Sequence, residues 1–359
     1  MDAVDKTMKD FDKIEDDAEV ADQINGSSQP FEDAKSHVED QVKSKENGVK
    51  AGEKNAFEEV EADAGEVKKT DKEEQEKKTE SISKHDESVV VDSAREAEMP
   101  RSILEKGIIY FFFRARVGIE DPQGLEDIGR SYIVLRPIPI GAKIGEGPLE
   151  DSGNARLLAL PKKILPKSGN DRFLMFVDKA KSTIKDLRDQ FASNEYATKT
   201  SGTSNTPAAT PFAEGIYAIT STGRESHLAY VLTMPNEGDI GNVQNDLGVR
   251  ARGSFICSLK NPDAPGPAHA TFNSPAKYPE ELQKKFRGLR WMPLEPEFLD
   301  YEASQFLVIG EGQGNLGRAV EEQSKDADDD EKEKPEEEME KLEEEDHDRV
   351  EVSRLSFLS

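Results

Sequence analysis

The chain has 359 residues and a net charge of −26, and that charge is segregated along it. Residues 1–99 carry 30 acids against 15 bases, residues 321–359 carry 18 against 6, and the block between carries 26 against 27. This balance excludes uniform charge-driven attachment to nucleic acid or anionic lipid. The single cysteine, Cys257, excludes an internal disulfide framework.

Twenty of the 24 aromatic residues lie between Tyr110 and Phe306. A neutral, aromatic block can bury a core, whereas the acidic ends lack the apolar surface that would offset the entropy of ordering them. The partition predicts a disordered acidic arm over 1–99, a folded domain over 100–318 and an acidic tail over 319–359. No apolar run reaches the roughly 18 residues of a membrane span, and the acidic Met1–Asp5 lacks the apolar core of a secretory signal. With one cysteine, these features predict an intracellular protein, nuclear or cytoplasmic, with no membrane attachment.

Along the block, strand signals dominate. Gly107–Phe113 is a continuous apolar run closed by Arg114 and Arg116, and Tyr132–Arg136 and Arg156–Leu160 each end at a proline. Arg172–Ala180 and Thr183–Phe191 show helical spacing, the second opened by a Thr183/Asp186 capping box. Thr200–Pro211 reads as a Ser/Thr/Pro linker and a boundary between two half-domains. Gly215–Thr220 and His227–Met234 alternate around a loop centred on Gly223, a hairpin pattern. Ile240–Leu247 and Glu280–Arg287 are short helices, each stopped by a glycine, and Ser254–Leu259, Leu289–Met292 and Gln305–Ile309 are strands. The sum is an α+β domain, mostly antiparallel and β-rich, with short helices. Glu105-Lys-Gly107-Ile108 and Ala213-Glu-Gly215-Ile216 share a pattern that hints at two related halves. In the tail, residues 336–349 predict a solvated helix. Its Met339 and Leu342 make a stripe too thin for a coiled coil.

Groups with chemical potential are few. Gly312-Gln-Gly314-Asn-Leu-Gly317 follows an apolar strand, as in a dinucleotide site, but the charged run after it cannot supply the second buried strand. One cysteine and two unclustered histidines in the block give no zinc site of the usual spacing, so neither a metal nor a cofactor is expected. His227 is the catalytic candidate; on the second strand of a hairpin it could line a pocket with Tyr217 or Arg224. Arg114, Arg116, Lys162, Lys163 and Arg172 are candidates for an anion or ligand site, and Lys284, Lys285, Arg287 and Arg290 form a second basic group. His269 reads as solvated and Cys257 as a buried, inert thiol. Trp291 reads as a core anchor or, if exposed, an interface residue. The block's balance of +1 predicts no direct nucleic-acid binding.

Five segments, Ser102–Phe113, Arg156–Lys163, Ser226–Tyr230, Phe286–Pro293 and Leu299–Tyr301 with Leu307–Gly310, resemble in the same order a fungal family usually named "BTB domain transcription factor". That family similarly flanks its block with acidic low-complexity arms. The resemblance implies a regulatory, plausibly nuclear role and brings no catalytic residues. The leading expectation is therefore a non-enzymatic interaction protein with protein partners, basic ones being favoured. The alternatives are an enzyme or small-ligand protein with a pocket near His227 and Arg114/Arg116, and an acidic-tailed chaperone of basic proteins such as histones.

Overall fold

A computed structural model describes residues 89–91, 95, 100, 102–145, 149–198, 202–265, 274–313, 316, 319 and 335–353. The disordered arm expected over 1–99 lies, up to residue 88, outside the described residues, as does His269.

The first long strands are β2 (Ile103–Ala115), β3 (Ile128–Ile138), β5 (Ala155–Ala159) and β6 (Arg172–Ser182), paired antiparallel in that order. A second series, β9 (Ala209–Ser221), β10 (Ser226–Met234), β11 (Arg252–Lys260) and β13 (Gln305–Gln313), pairs antiparallel in the same way. The two series meet at both edges, β2 against β9 and β6 against β13, so the pairing closes into an eight-stranded antiparallel barrel. Closure leaves no long strand with an open edge, which removes the hazard of edge-to-edge association. Only β12 (Trp291–Pro293), on β11 beyond the end of β10, extends the sheet. Small two-stranded sheets are made by β1 (Val89–Val91) with β4 (Ala142–Ile144), and by β7 (Asn194–Thr198) with β8 (Gly202–Thr206).

The register is two-fold symmetric. Its centres are the pair Ile108–Ile216 at one seam and Leu174–Leu307 at the other. About the first centre Gly107 and Gly215 are equivalent, each beside a neighbouring strand: Gly107 pairs with Pro137 and Gly215 with Leu232. A Cβ at Gly107 would lie 2.2 Å from the Arg136 carbonyl oxygen, and one at Gly215 would lie 2.0 Å from that of Val231. Each half also carries one bulge at the same place. Leu157 and Leu158 face Lys179 and Val177, skipping Asp178; Ser254 and Phe255 face Gly312 and Gly310, skipping Glu311. The Gly-Ile pair shared by Glu105–Ile108 and Ala213–Ile216 marks these equivalent strands.

Alternation along the strands sorts side chains into two layers. Ile109, Phe111, Ile133, Leu135, Leu158, Val177, Tyr217, Tyr230, Phe255, Cys257 and Phe306 fill the barrel interior, and every barrel strand contributes. Phe286, Leu294 and Phe298, from the segment preceding β13, join this core. The opposite parity, Ile108, Tyr110, Phe112, Tyr132, Val134, Leu157, Phe176, Ile216 and Val231, forms an outer apolar face on part of the barrel. Two helices cover that face. Leu187 and Phe191 of α1 (Ile184–Phe191) pack against it, and the predicted capping box opens α1. Two further short helices, α2 (Asn242–Leu247) and α3 (Glu280–Lys285), lie in the connections.

The fold is α+β, mostly antiparallel strand, as the pattern predicts. Three expectations are corrected. Arg172–Ala180 is strand β6 and no helix: Phe176 is buried outward while Met175 and Val177 are buried inward, and a strand covered on both faces shows no clean alternation. Thr200–Pro211 is no plain linker, since it contains β8 and the start of β9. It does separate the two four-stranded series, but these share one core. Finally, the tail helix is α4 (Pro335–Ser353), and it is docked rather than solvated: Met339 and Leu342 are 1 % and 0 % exposed within the outer apolar cluster. Val89–Val91 and α4 thus carry the folded unit beyond 100–318.

If close strand approach is what demands glycine at the equivalent positions, Gly107→Ala and Gly215→Ala will each destabilise by about 2–3 kcal/mol, the scale of overpacking. Gly124→Ala, where a Cβ meets nothing within 4 Å, will stay within about 0.5 kcal/mol. Urea denaturation of the three variants checks this.

Candidate functional site

His227 and Arg114, singled out from the sequence, do not converge. Arg114 pairs with Ala209 at one end of β9, while His227 pairs with Thr220 near the other. Eleven residues of strand separate those positions, about 35 Å at the usual rise. The Arg114 Nη2 group donates to the Gln190 carbonyl (2.7 Å), holding the last turn of α1, while Arg116 is exposed. Lys163 donates to the Leu125 carbonyl (3.2 Å), Lys162 lies over the Phe173 ring (5.4 Å), and Arg172 is exposed at the start of β6. Of the second basic group, Lys284 pairs with Glu280, and Lys285 with Glu295 and Glu297. Trp291 is half-buried on β12. Gly312 of the glycine motif belongs to β13, while Gly314 and Gly317 fall outside the described residues.

His227 is fully buried and points outward from the barrel, whereas Tyr217 points inward, so the two cannot line one pocket. The imidazole Nδ1 lies 2.8 Å from Oε2 of Glu311, and the Ser254 hydroxyl donates to that same oxygen at 2.8 Å. The carboxylate therefore stands between serine and histidine. A nucleophile–base relay needs the histidine in the middle, so this trio is no hydrolytic triad. The bulge aims Glu311 outward; its equivalent, Asp178, accepts from Gln190 Nε2 (2.6 Å) on α1, and burial pushes its carboxyl above the usual range. Bulge carboxylates thus tie neighbouring elements to the outside of both halves.

Inside the barrel, Arg156 donates through Nη1 to both Glu105 oxygens (2.7 and 2.8 Å) and through Nε to Asp300 (2.8 Å), while Tyr217 donates to Glu105 (2.8 Å). This network pairs Arg156 with Glu105 and Asp300 within the core layer.

The densest set of functional-type contacts lies under α4. Lys106 follows Glu105 on β2, so it points to the outer face, where it is fully buried. Its ammonium donates to the Ala142 carbonyl (2.8 Å) and to Glu338 Oε1 (2.7 Å). Arg95 grips the same carboxylate with Nη2 (2.7 Å) and Nε (3.2 Å), and its Nη1 reaches Glu345. Glu345 in turn accepts the Ile144 amide (2.9 Å), and Asp346 accepts the Thr233 hydroxyl (2.7 Å). On the flank Arg252 pairs with Glu343 at 3.1 Å. Burial draws the Lys106 ammonium below the usual lysine range, against the pull of Glu338. Burial acts on Arg95 in the same sense, but its bonds to Glu338 and Glu345 outweigh it and raise its guanidinium.

Beside this clamp a pocket of about 190 Å³ opens between α4 and β10, lined by Val231, Leu232, Glu237, Arg252, Glu343 and His347 among others. Among the described residues, no group of three or more His, Cys, Asp or Glu is placed to hold a metal ion, and no helix is long and apolar enough to cross a membrane.

Sequence reasoning missed Arg95, Lys106, Glu338, Glu345 and Asp346. A signal existed: Glu338, Met339, Leu342, Glu345 and Asp346 fall at i, i+1, i+4, i+7 and i+8, one face of a helix. Three of these five are acids, which masks the face as solvated.

No known protein family, curated protein or solved structure matches this chain.

Two outcomes follow. Glu338→Ala leaves Lys106 and Arg95 without their carboxylate, so α4 will undock; hydrogen exchange across 335–347 will accelerate at least about tenfold while β2 and β9 stay protected. For Cys257, burial pushes the thiol up to about 12. The native state then keeps a proton that the unfolded chain loses above its ordinary thiol value, so stability falls as pH climbs from about 9 towards 12. Cys257→Ala will flatten that part of the alkaline stability curve, and the native thiol will resist alkylation until the chain unfolds.

Proposed function

We propose that this chain is a non-enzymatic, intracellular interaction protein of a regulatory kind, in which the barrel is a rigid recognition module and the acidic tail engages basic protein partners. The observation that carries this reading is the docking of α4. Its inner face is used up on Lys106, Arg95 and the outer apolar cluster, and Glu336, Glu337, Glu340 and Glu344 are held exposed on its outer side. A docked helix fixes the spacing of those charges, so their attraction for a basic segment is not lost to ordering the helix on binding. The groups most suited to catalysis support the same reading. Glu311 engages both His227 and Ser254, and the Cys257 thiol is buried and kept protonated. The resemblance to a fungal transcription-factor family adds a nuclear setting to the proposal.

The test is calorimetric binding of an arginine- and lysine-rich peptide to the full chain and to the Glu336→Gln/Glu337→Gln/Glu340→Gln/Glu344→Gln variant at low ionic strength. The variant will lose about tenfold in affinity, since exposed pairs contribute about 0.2–1 kcal/mol each, and binding to the unaltered chain will weaken with added salt. Equal binding by both would remove α4 from the partner surface.

A further inference from the structure

The surface beneath α4 has the composition of a recognition groove. Its floor is apolar, with Ile108, Ile216, Ala218, Ala229 and Val231, and cations stand in and beside it: Lys106 within, Arg95 and Arg252 at the helix flanks. A buried ammonium is a poor way to hold a helix down. A well-packed apolar pair in place of Lys106 and Glu338 would hold it as well or better. What the ammonium supplies is discrimination, because any helix seated there must bring a carboxylate to that one position or leave the charge uncompensated. Thr233, the Ile144 amide and Arg95 add the same demand seven and eight residues further on, at Glu345 and Asp346. The groove therefore reads a pattern: acid, apolar, apolar three residues later, then two acids.

The apolar part of that pattern is small. Among the described side chains of α4, the apolar ones committed to the floor are Met339 and Leu342. The entropy lost on ordering the helix opposes this burial. Such a contact persists because α4 belongs to the same chain and docks intramolecularly, which raises the apparent affinity of a weak interface. An untethered helix with the same acids and larger apolar residues would compete for the position.

We propose that the groove formed by β2, β4, β9 and β10 is a docking site for an acidic amphipathic helix of a partner protein, and that α4 is its occupant in cis. This goes beyond the reading above and holds whether or not the outward glutamates of α4 engage basic segments.

A fluorescent peptide with the sequence of residues 335–353 tests it on the full chain. In the Met339→Glu/Leu342→Glu variant the cis helix cannot seat, and the peptide will bind at least about tenfold tighter than to the unaltered chain, a difference of about 1.4 kcal/mol. A Glu338→Gln version of the peptide will bind this variant about tenfold more weakly, and adding Lys106→Met to the protein will narrow that difference. Equal binding to both proteins, or to neither, overturns the proposal. Should the double variant fail to fold, hydrogen exchange of the unaltered chain decides: excess peptide must accelerate exchange in α4, and unchanged exchange overturns the proposal. Concentration-dependent dimers in sedimentation, with α4 exchanged between copies, would also overturn it by making a second copy the occupant.

Discussion

Closure of the barrel is the constraint from which the other features follow. Eight antiparallel strands meet at both seams, and the register is two-fold symmetric about Ile108–Ile216 and Leu174–Leu307. Once the ring is closed, every barrel strand has an inside and an outside, and each side chain is assigned by parity. That single rule sends Glu105 into the core with Arg156 and Tyr217, and sends its neighbour Lys106 to the outer face. It also separates Tyr217 from His227, two residues that a hairpin pattern alone allows to share a pocket.

The outer face explains why an acidic tail belongs to the fold. A barrel filled by its own side chains has no use for a second apolar surface unless something covers it. On this barrel α1 and α4 share the task. α1 does so with Leu187 and Phe191 and a neutral bond from Gln190 to the bulge carboxylate Asp178. α4 does so with two apolar side chains and a set of buried ion pairs. Buried pairs trade net stability for specificity of placement, which suits a helix whose position matters more than its tightness.

The architecture was legible in the sequence where one physical signal acted alone. The aromatic run Tyr110–Phe113, the hairpin around Gly223 and the Thr183 capping box all appear where local chemistry places them. Reading failed where signals overlapped. In β6 burial on both faces erased the alternation and left Phe173, Phe176, Val177 and Ala180 at a helical spacing by coincidence. In α4 acids at 338, 345 and 346 concealed a packed face, because a carboxylate in a sequence reads as solvated until its cation is known. The partners Lys106 and Glu338 are 232 residues apart, and no local pattern links them. Among the basic candidates Arg114, Arg116, Lys162, Lys163 and Arg172, Arg114 and Lys163 are engaged by backbone carbonyls and Lys162 lies over a ring, contacts that no local sequence pattern announces.

The pairing of Glu338 with Lys106 seats α4 on the barrel. A double-mutant cycle measured by urea denaturation, with Lys106→Met, Glu338→Met and both together, isolates that pairing from the rest of the interface. The coupling will be about 2 kcal/mol or more, with the double variant more stable than either single one, as expected when the loss of one buried partner strands the other. Additive effects, with coupling below about 0.5 kcal/mol, would contradict it.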